Sequence, residues 1–189
     1  MIAAHRTVLC LLACAAPILV GCSGMLVSSE PPERAYWLES HPISGHIAAS
    51  VDVSLVPALD SHNIWILQSD GRLNYFAGAV WPDRLGRLLP DVINRSVPRP
   101  EQTEPVQLDV VIERFFAIEG VADEPPLIEL QALVAGPEGP GCRLVATDRP
   151  PTARLRDIAA SHQRVLNRLI DRLPGLAAEA AAGAPLSCE

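Results

Sequence analysis

The chain has 189 residues, 18 of them Pro and 12 Gly, and its 15 basic and 22 acidic residues leave a net charge of −7. That length predicts one domain with appendages. Every basic residue is Arg, and the arginines scatter along the sequence without a cluster. This pattern excludes nucleic acid as a partner and argues against polybasic adhesion to anionic lipid, since both need concentrated positive charge to neutralise phosphate.

The N-terminus supplies another route to a membrane. His5 and Arg6 form a short polar head, and Val8 to Val20 is an uncharged apolar run of 13 residues interrupted by Pro17. A spanning helix needs about 20 such residues, so residues 1–21 read as a signal peptide. Leu19-Val20-Gly21-Cys22 follows the bacterial lipobox pattern of a small residue before Cys, preceded by an aliphatic pair. Cleavage before Cys22 and diacylation of its thiol are expected, with about 0.8 kcal/mol of anchoring per buried CH₂. This covalent lipid is the only added group expected. Loss of Arg6 leaves 14 basic against 22 acidic residues, or −8. Residues 22–35 read as a polar, Pro-containing tether, and residues 36–189 as one folded domain.

Two cysteines remain once Cys10 and Cys14 leave with the signal and Cys22 is acylated. Cys142 and Cys188 form an even pair in an oxidising compartment, where a disulfide persists. A bridge is the favoured reading and two unpaired thiols the alternative.

In chain order, Ser50 to Val56 alternates apolar Val51, Val53 and Leu55 with polar residues, the pattern of a half-buried strand. Asn63 to Gln68 is a second strand, apolar on both sides, with Trp65 expected in the core. Asp70-Gly71 predicts a type I′ hairpin turn, returning through Leu73, Tyr75 and Ala77. Leu85, Leu88, Leu89, Val92 and Ile93 then mark an amphipathic helix, with Pro82 and Asp83 suited to its first turn. Val106 to Glu113 and Ile128 to Val134 alternate as strands, Gly136 to Gly141 turns the chain, and Arg143 to Thr147 returns. Leu155, Ile158, Val165, Leu166, Leu169 and Leu173 stripe a long helix over about 153–173, which Pro174-Gly175 should stop or kink, with the Ala-rich tail to Ala184 open to continuing as a weaker helix. The order of strands, helix, strands, helix predicts an α+β fold: a mostly antiparallel sheet with two amphipathic helices packed on one face.

Chemistry is sparse. His41, His46, His62 and His162 have no Cys or carboxylate at metal-ligand spacing, so no metal site is expected. Ser161-His162 are adjacent on a helix and point in different directions. The glycines of 136–141 lack the Lys-Ser/Thr of a phosphate loop. No catalytic residues and no enzyme are expected. Trp81, before the first helix, suits core packing better than a surface anchor.

The segment Asn63-Ile-Trp-Ile-Leu-Gln, Leu73-Asn-Tyr-Phe and Trp81-Pro-Asp-Arg-Leu85 resembles the ABC-type transport auxiliary lipoprotein family, which includes the PqiC-type lipoproteins. Val53-Ser-Leu-Val-Pro57 and the opening Tyr36-Trp37-Leu38 are similar to it as well. The family often has Trp-Ala-Glu where this chain has Trp81-Pro82-Asp83. The resemblance implies an auxiliary or adaptor subunit of an MCE-type lipid transport system, anchored in the inner leaflet of the outer membrane and facing the periplasm. Implied partners are an MCE-domain protein and an ABC permease and ATPase, and homo-oligomers are implied too. Tyr75, Trp81 and Leu85 become candidate partner contacts or family-motif residues. Ser23 after the lipidated Cys agrees with sorting to the outer membrane. The competing expectation is a carrier that holds an acyl chain in a cavity under the sheet. A purely structural envelope lipoprotein is the third.

Overall fold

The computed structural model describes residues 34–43, 49–97, 105–121, 124–137 and 139–188. Cys22, the signal segment, most of the tether and His46 lie outside the described residues.

The elements in order are β1 (Arg34–Ala35), β2 (Ala49–Leu55), a 3-10 turn (Pro57–Leu59), β3 (Asn63–Leu67), β4 (Leu73–Val80), α1 (Leu85–Ser96), β5 (Val106–Ile118), β6 (Leu127–Ala135), β7 (Cys142–Asp148) and α2 (Leu155–Ala181). The strands form one sheet in the order β1-β4-β3-β5-β6-β7, with β2 also on β5. The fold is the expected α+β. The antiparallel pairings, β3–β4, β5–β6 and β6–β7, hold most of the register, while β1–β4, β2–β5 and β3–β5 are parallel. Two of the parallel pairs, β2–β5 and β3–β5, share a cause. β2 runs along the first half of β5, leaves through the Pro57–Leu59 turn, and β3 rejoins the same edge at Ala117 and Ile118.

The strand that organises the sheet is β5, and a bulge divides it. Ile112 pairs with Ala132 but Phe115 pairs with Leu130, so β5 carries one extra residue. Side chains alternate along a strand, and an extra residue reverses their assignment to faces. Leu108, Val110 and Ile112 point inward before the bulge and Phe115 and Ala117 after it, all buried. Phe116 is thereby sent to the outer face.

Both helices cover the inner face. Leu85, Leu88, Leu89, Val92 and Ile93 of α1 are buried, as are Ile158, Val165, Leu166, Leu169, Ile170 and Leu173 of α2. Their start points differ from the expectation. Pro82 and Asp83 precede α1, whose N-cap position is Arg84 with no side-chain cap. Asp60 supplies the missing acceptor: its Oδ1 takes the Gly86 N–H at 3.0 Å, and its Oδ2 stands 2.9 Å from Arg84 Nη2. The positive end of the helix dipole favours a carboxylate there. Gly86 is required by this closeness, since a Cβ would sit 2.6 Å from Asp60 Oδ1.

Pro174 does not end α2, which continues to Ala181. A proline inside a helix costs about 3 kcal/mol. Burial of Leu176 and Ala177 beyond it offsets that loss.

The Asp70-Gly71 hairpin is also built differently. Gly71 N donates to Gln68 O and Gln68 N to Arg72 O, both at 2.9 Å, and Gly71 has φ 82°. This is a three-residue loop with glycine in the left-handed position, not a two-residue type I′ turn. At the other end of the domain, Arg34 and Ala35 pair with Ala79 and Val80. The last two residues of the expected tether thus belong to the sheet.

Candidate functional site

On the inner face, three rings meet where β4, β5 and α2 converge. Trp81 and Phe115 lie 6.0 Å apart, and His162 meets each edge-on at 5.4 and 5.0 Å. Trp81 is only 1% exposed and Leu85 fully buried. Neither can touch a partner while the domain is folded, so the partner-contact reading fails for both, and their role is to join the end of β4 to α1. His162 Nδ1 donates to the Ile158 carbonyl at 2.9 Å, while its Nε2 is buried without a partner. Burial pushes the imidazole down to about 4, against a smaller opposing effect of the Ile158 hydrogen bond. It is therefore neutral at pH 7. The neighbouring Ser161 hydroxyl turns away, accepting from Arg164 at 2.6 Å. Burial raises the Asp148 pKa, but hydrogen bonds from Arg164 and Ser161 and the charges of Arg164 and Arg168 outweigh it and hold the carboxyl below its ordinary value. This cluster ties β7 to α2.

The outer face carries several exposed apolar side chains. Register places Trp65 opposite Tyr75 and Leu67 opposite Leu73, with Leu67 beside Ile118 of β5. Tyr75 is 53% exposed and Leu73 39%. Trp65 meets the Tyr75 ring edge-on at 6.2 Å. It sits half-buried on this face instead of filling the core, and its Nε1 is buried without a partner. Phe116, on the same face, is covered by Arg114, whose guanidinium lies 6.0 Å over the ring while bonding Glu129 at 2.9 Å. Arg114, Glu129 and Gln131 separate this apolar area on β3, β4 and the end of β5 from Val145 of β7, which is 55% exposed on the same face. A second exposed aromatic, Trp37 at 71%, rims an open groove of about 870 Å³ along α1. Asp83, Arg87, Asp91 and Arg95 line this groove and pair with one another.

Cys142 and Cys188 are joined, with Cα atoms 5.6 Å apart. The bridge holds the C-terminal tail beside β7, helped by Arg172 bonding Ser187 O at 3.0 Å and Ser187 N bonding Glu179 at 2.8 Å. Among the described residues, no group of three His, Cys, Asp or Glu could hold a metal ion, and no helix is long and apolar enough to cross a membrane. His41 bonds Asp171 at 3.0 Å and so fastens the segment before β2 to α2.

Sequence reasoning missed one cluster. Arg34 and the pair Arg154 and Arg156 are more than a hundred positions apart, yet line one depression. No linear signal links them.

Two solved structures share this fold. Protein XCC0632 from Xanthomonas campestris, assigned to DUF330, superposes with a TM-score of 0.60 at 17% identity, over 79% of this chain and 96% of its own. A second structure, described as an uncharacterized protein, gives 0.53 at 10% identity, over 73% of this chain and 97% of its own. No family model and no curated protein matches the chain.

Proposed function

We propose that this chain is an outer-membrane-anchored periplasmic lipoprotein, held by lipid on Cys22, that acts as an adaptor subunit of an MCE-type ABC lipid transport system. The observation that carries the docking role is the outer sheet face, where Tyr75 and Leu73 stand exposed beside half-buried Trp65. Contiguous exposed apolar side chains mark interaction sites in soluble domains. The lipobox at Cys22 and the sequence resemblance supply the anchor and the partner class. The fold shared with a DUF330 protein is consistent with that class, since DUF330 is the family of the PqiC-like lipoproteins.

The carrier reading is weaker for a specific reason. It needs room for an acyl chain under the sheet, and among the described residues that layer is packed with side chains. Leu108, Ile112, Ile128 and Leu130 on the sheet and Leu89, Leu166 and Leu169 on the helices are all fully buried against one another. The groove by Trp37 is open and polar-lined, a poor acyl-chain site.

Affinity purification of the native lipoprotein from membranes, with mass spectrometry of both proteins and lipids, tests the proposal. Recovery of an MCE-domain protein and its permease supports it. Recovery of stoichiometric bound lipid with no protein partner favours the carrier.

A further inference from the structure

Most of the described arginines are matched by acids. Arg72, Arg84, Arg87, Arg95, Arg114, Arg143, Arg149, Arg164 and Arg168 each have a non-adjacent carboxylate within 4.0 Å, and Arg172 bonds a carbonyl. The other three come together. Arg34 of β1 and Arg154 and Arg156 at the start of α2 line one open depression of about 450 Å³, with Tyr36 beside them. Among the described residues, Arg34 and Arg154 have no carboxylate partner, and Arg156 has only its neighbour Asp157 at 3.5 Å. Among the described residues, no carboxylate lines the depression. Local positive charge in an acidic protein therefore concentrates at one place, which the scattered sequence positions had argued against.

The place is informative. Arg34 pairs opposite Ala79, at the end of β4. The exposed Leu73 opens the same strand at the other end. Chain running from Cys22 joins the body at Arg34, so the arginines stand where the anchor is connected, and the apolar face reaches away from that point. Arginine guanidinium groups bind phosphate bidentately, and Tyr36 adds a hydroxyl donor.

We infer that Arg34, Arg154 and Arg156 form a phosphate-binding site that takes the headgroups of anionic lipid on the surface to which the chain is tethered. Phosphate recognition follows from the arginines alone, and the lipid source rests on the lipid-anchored reading. Headgroup binding would hold the body by a second point and fix its orientation, where acyl chains alone permit it to pivot.

The test is an arginine footprint. The native lipoprotein is reconstituted in vesicles of phosphatidylcholine or of phosphatidylcholine with phosphatidylglycerol, treated with phenylglyoxal, and mapped by mass spectrometry. The expected result is slower modification of Arg34, Arg154 and Arg156 in the anionic vesicles, with Arg72 and Arg87 unchanged. An arginine near an anionic surface is worth about 1 kcal/mol, or about fivefold. Arg154→Ala should therefore weaken protection of the other two by about that factor, with circular dichroism unchanged because the side chain is exposed. Equal protection by millimolar inorganic phosphate in neutral vesicles would overturn the lipid source and leave a free-phosphate site. No selective protection by either probe would overturn the site. The mass of the Cys22 peptide reads the anchor in the same experiment, so failure of the anchor and failure of the arginine site are separately visible.

Discussion

Trp65 and Tyr75 meet edge to face across the β3–β4 pair, ring centroids 6.2 Å apart, on the sheet face opposite the helices. Tyr75 is the outer member, so it contributes little to the core. Tyr75→Ala should cost about 1 kcal/mol of stability, the scale of one aromatic pair. Its effect on partner capture should be larger, since exposed aromatics dominate interface energetics. Urea denaturation and co-purification yield, measured on the same variant, separate the two quantities.

The buried imidazole makes the domain acid-sensitive. His162 titrates near 4 when folded and near 6.5 when unfolded. Between those values the unfolded chain binds more protons, so stability rises with pH across that window. The contribution is complete above about pH 6.5 and lost as pH falls toward 4, amounting to about 3 kcal/mol. Asp148, whose pKa is lowered on folding, adds a further loss below the ordinary Asp range. His162→Phe keeps a ring in the Trp81–Phe115 cluster and should flatten the curve between pH 4.5 and 6.5. Unfolding free energies at several pH values check this. A variant as pH-dependent as the parent would contradict it.

Asp60 caps α1 from outside the helix. Asp60→Ala removes the acceptor of the Gly86 N–H and should cost about 1 kcal/mol, a typical capping value. Gly86→Ala places a methyl against that carboxylate and should cost at least as much, although alanine is the better helix former. Combining the two substitutions relieves the clash, so the double variant should be more stable than the sum of the single losses predicts. Thermal unfolding of all three variants gives the coupling.

Reduction should free the C-terminal tail. The Cys142–Cys188 bridge closes a loop over a sequence separation of 46, for which chain entropy gives about 4 kcal/mol. Cys188→Ser should lower the urea midpoint in non-reducing buffer and have no effect once dithiothreitol is present. Hydrogen exchange should rise in β7, the sheet edge beside the tail.

Much of this architecture is legible from periodicity. The stripe from Leu85 to Ile93 and the alternation of Ile128 to Val134 each report one buried face, and the structure buries those residues. What could not be read depends on contacts distant in sequence. The β5 bulge that sends Phe115 inward and Phe116 outward arises from pairing with β6 and has no local signature. Trp65 is only half-buried because the β3–β4 register sets it opposite Tyr75 on the outer face. Propensity at Pro174 is overridden by the burial of Leu176. The carboxylate at the start of α1 comes from Asp60, whereas Asp83, expected in the first turn, precedes the helix. The arginine depression needed the fold to bring Arg34 beside Arg154.

Docking through the outer sheet face is tested by site-specific photo-crosslinking in intact cells, with a photoreactive phenylalanine placed at Tyr75, at Val145 on the same sheet face near the opposite edge, or at Trp37. The expected result is a crosslink from position 75 to an MCE-domain protein and none from position 145. No protein crosslink from 75, with a strong one from 37, would move the docking surface to the groove along α1 and contradict the role assigned to the outer sheet face.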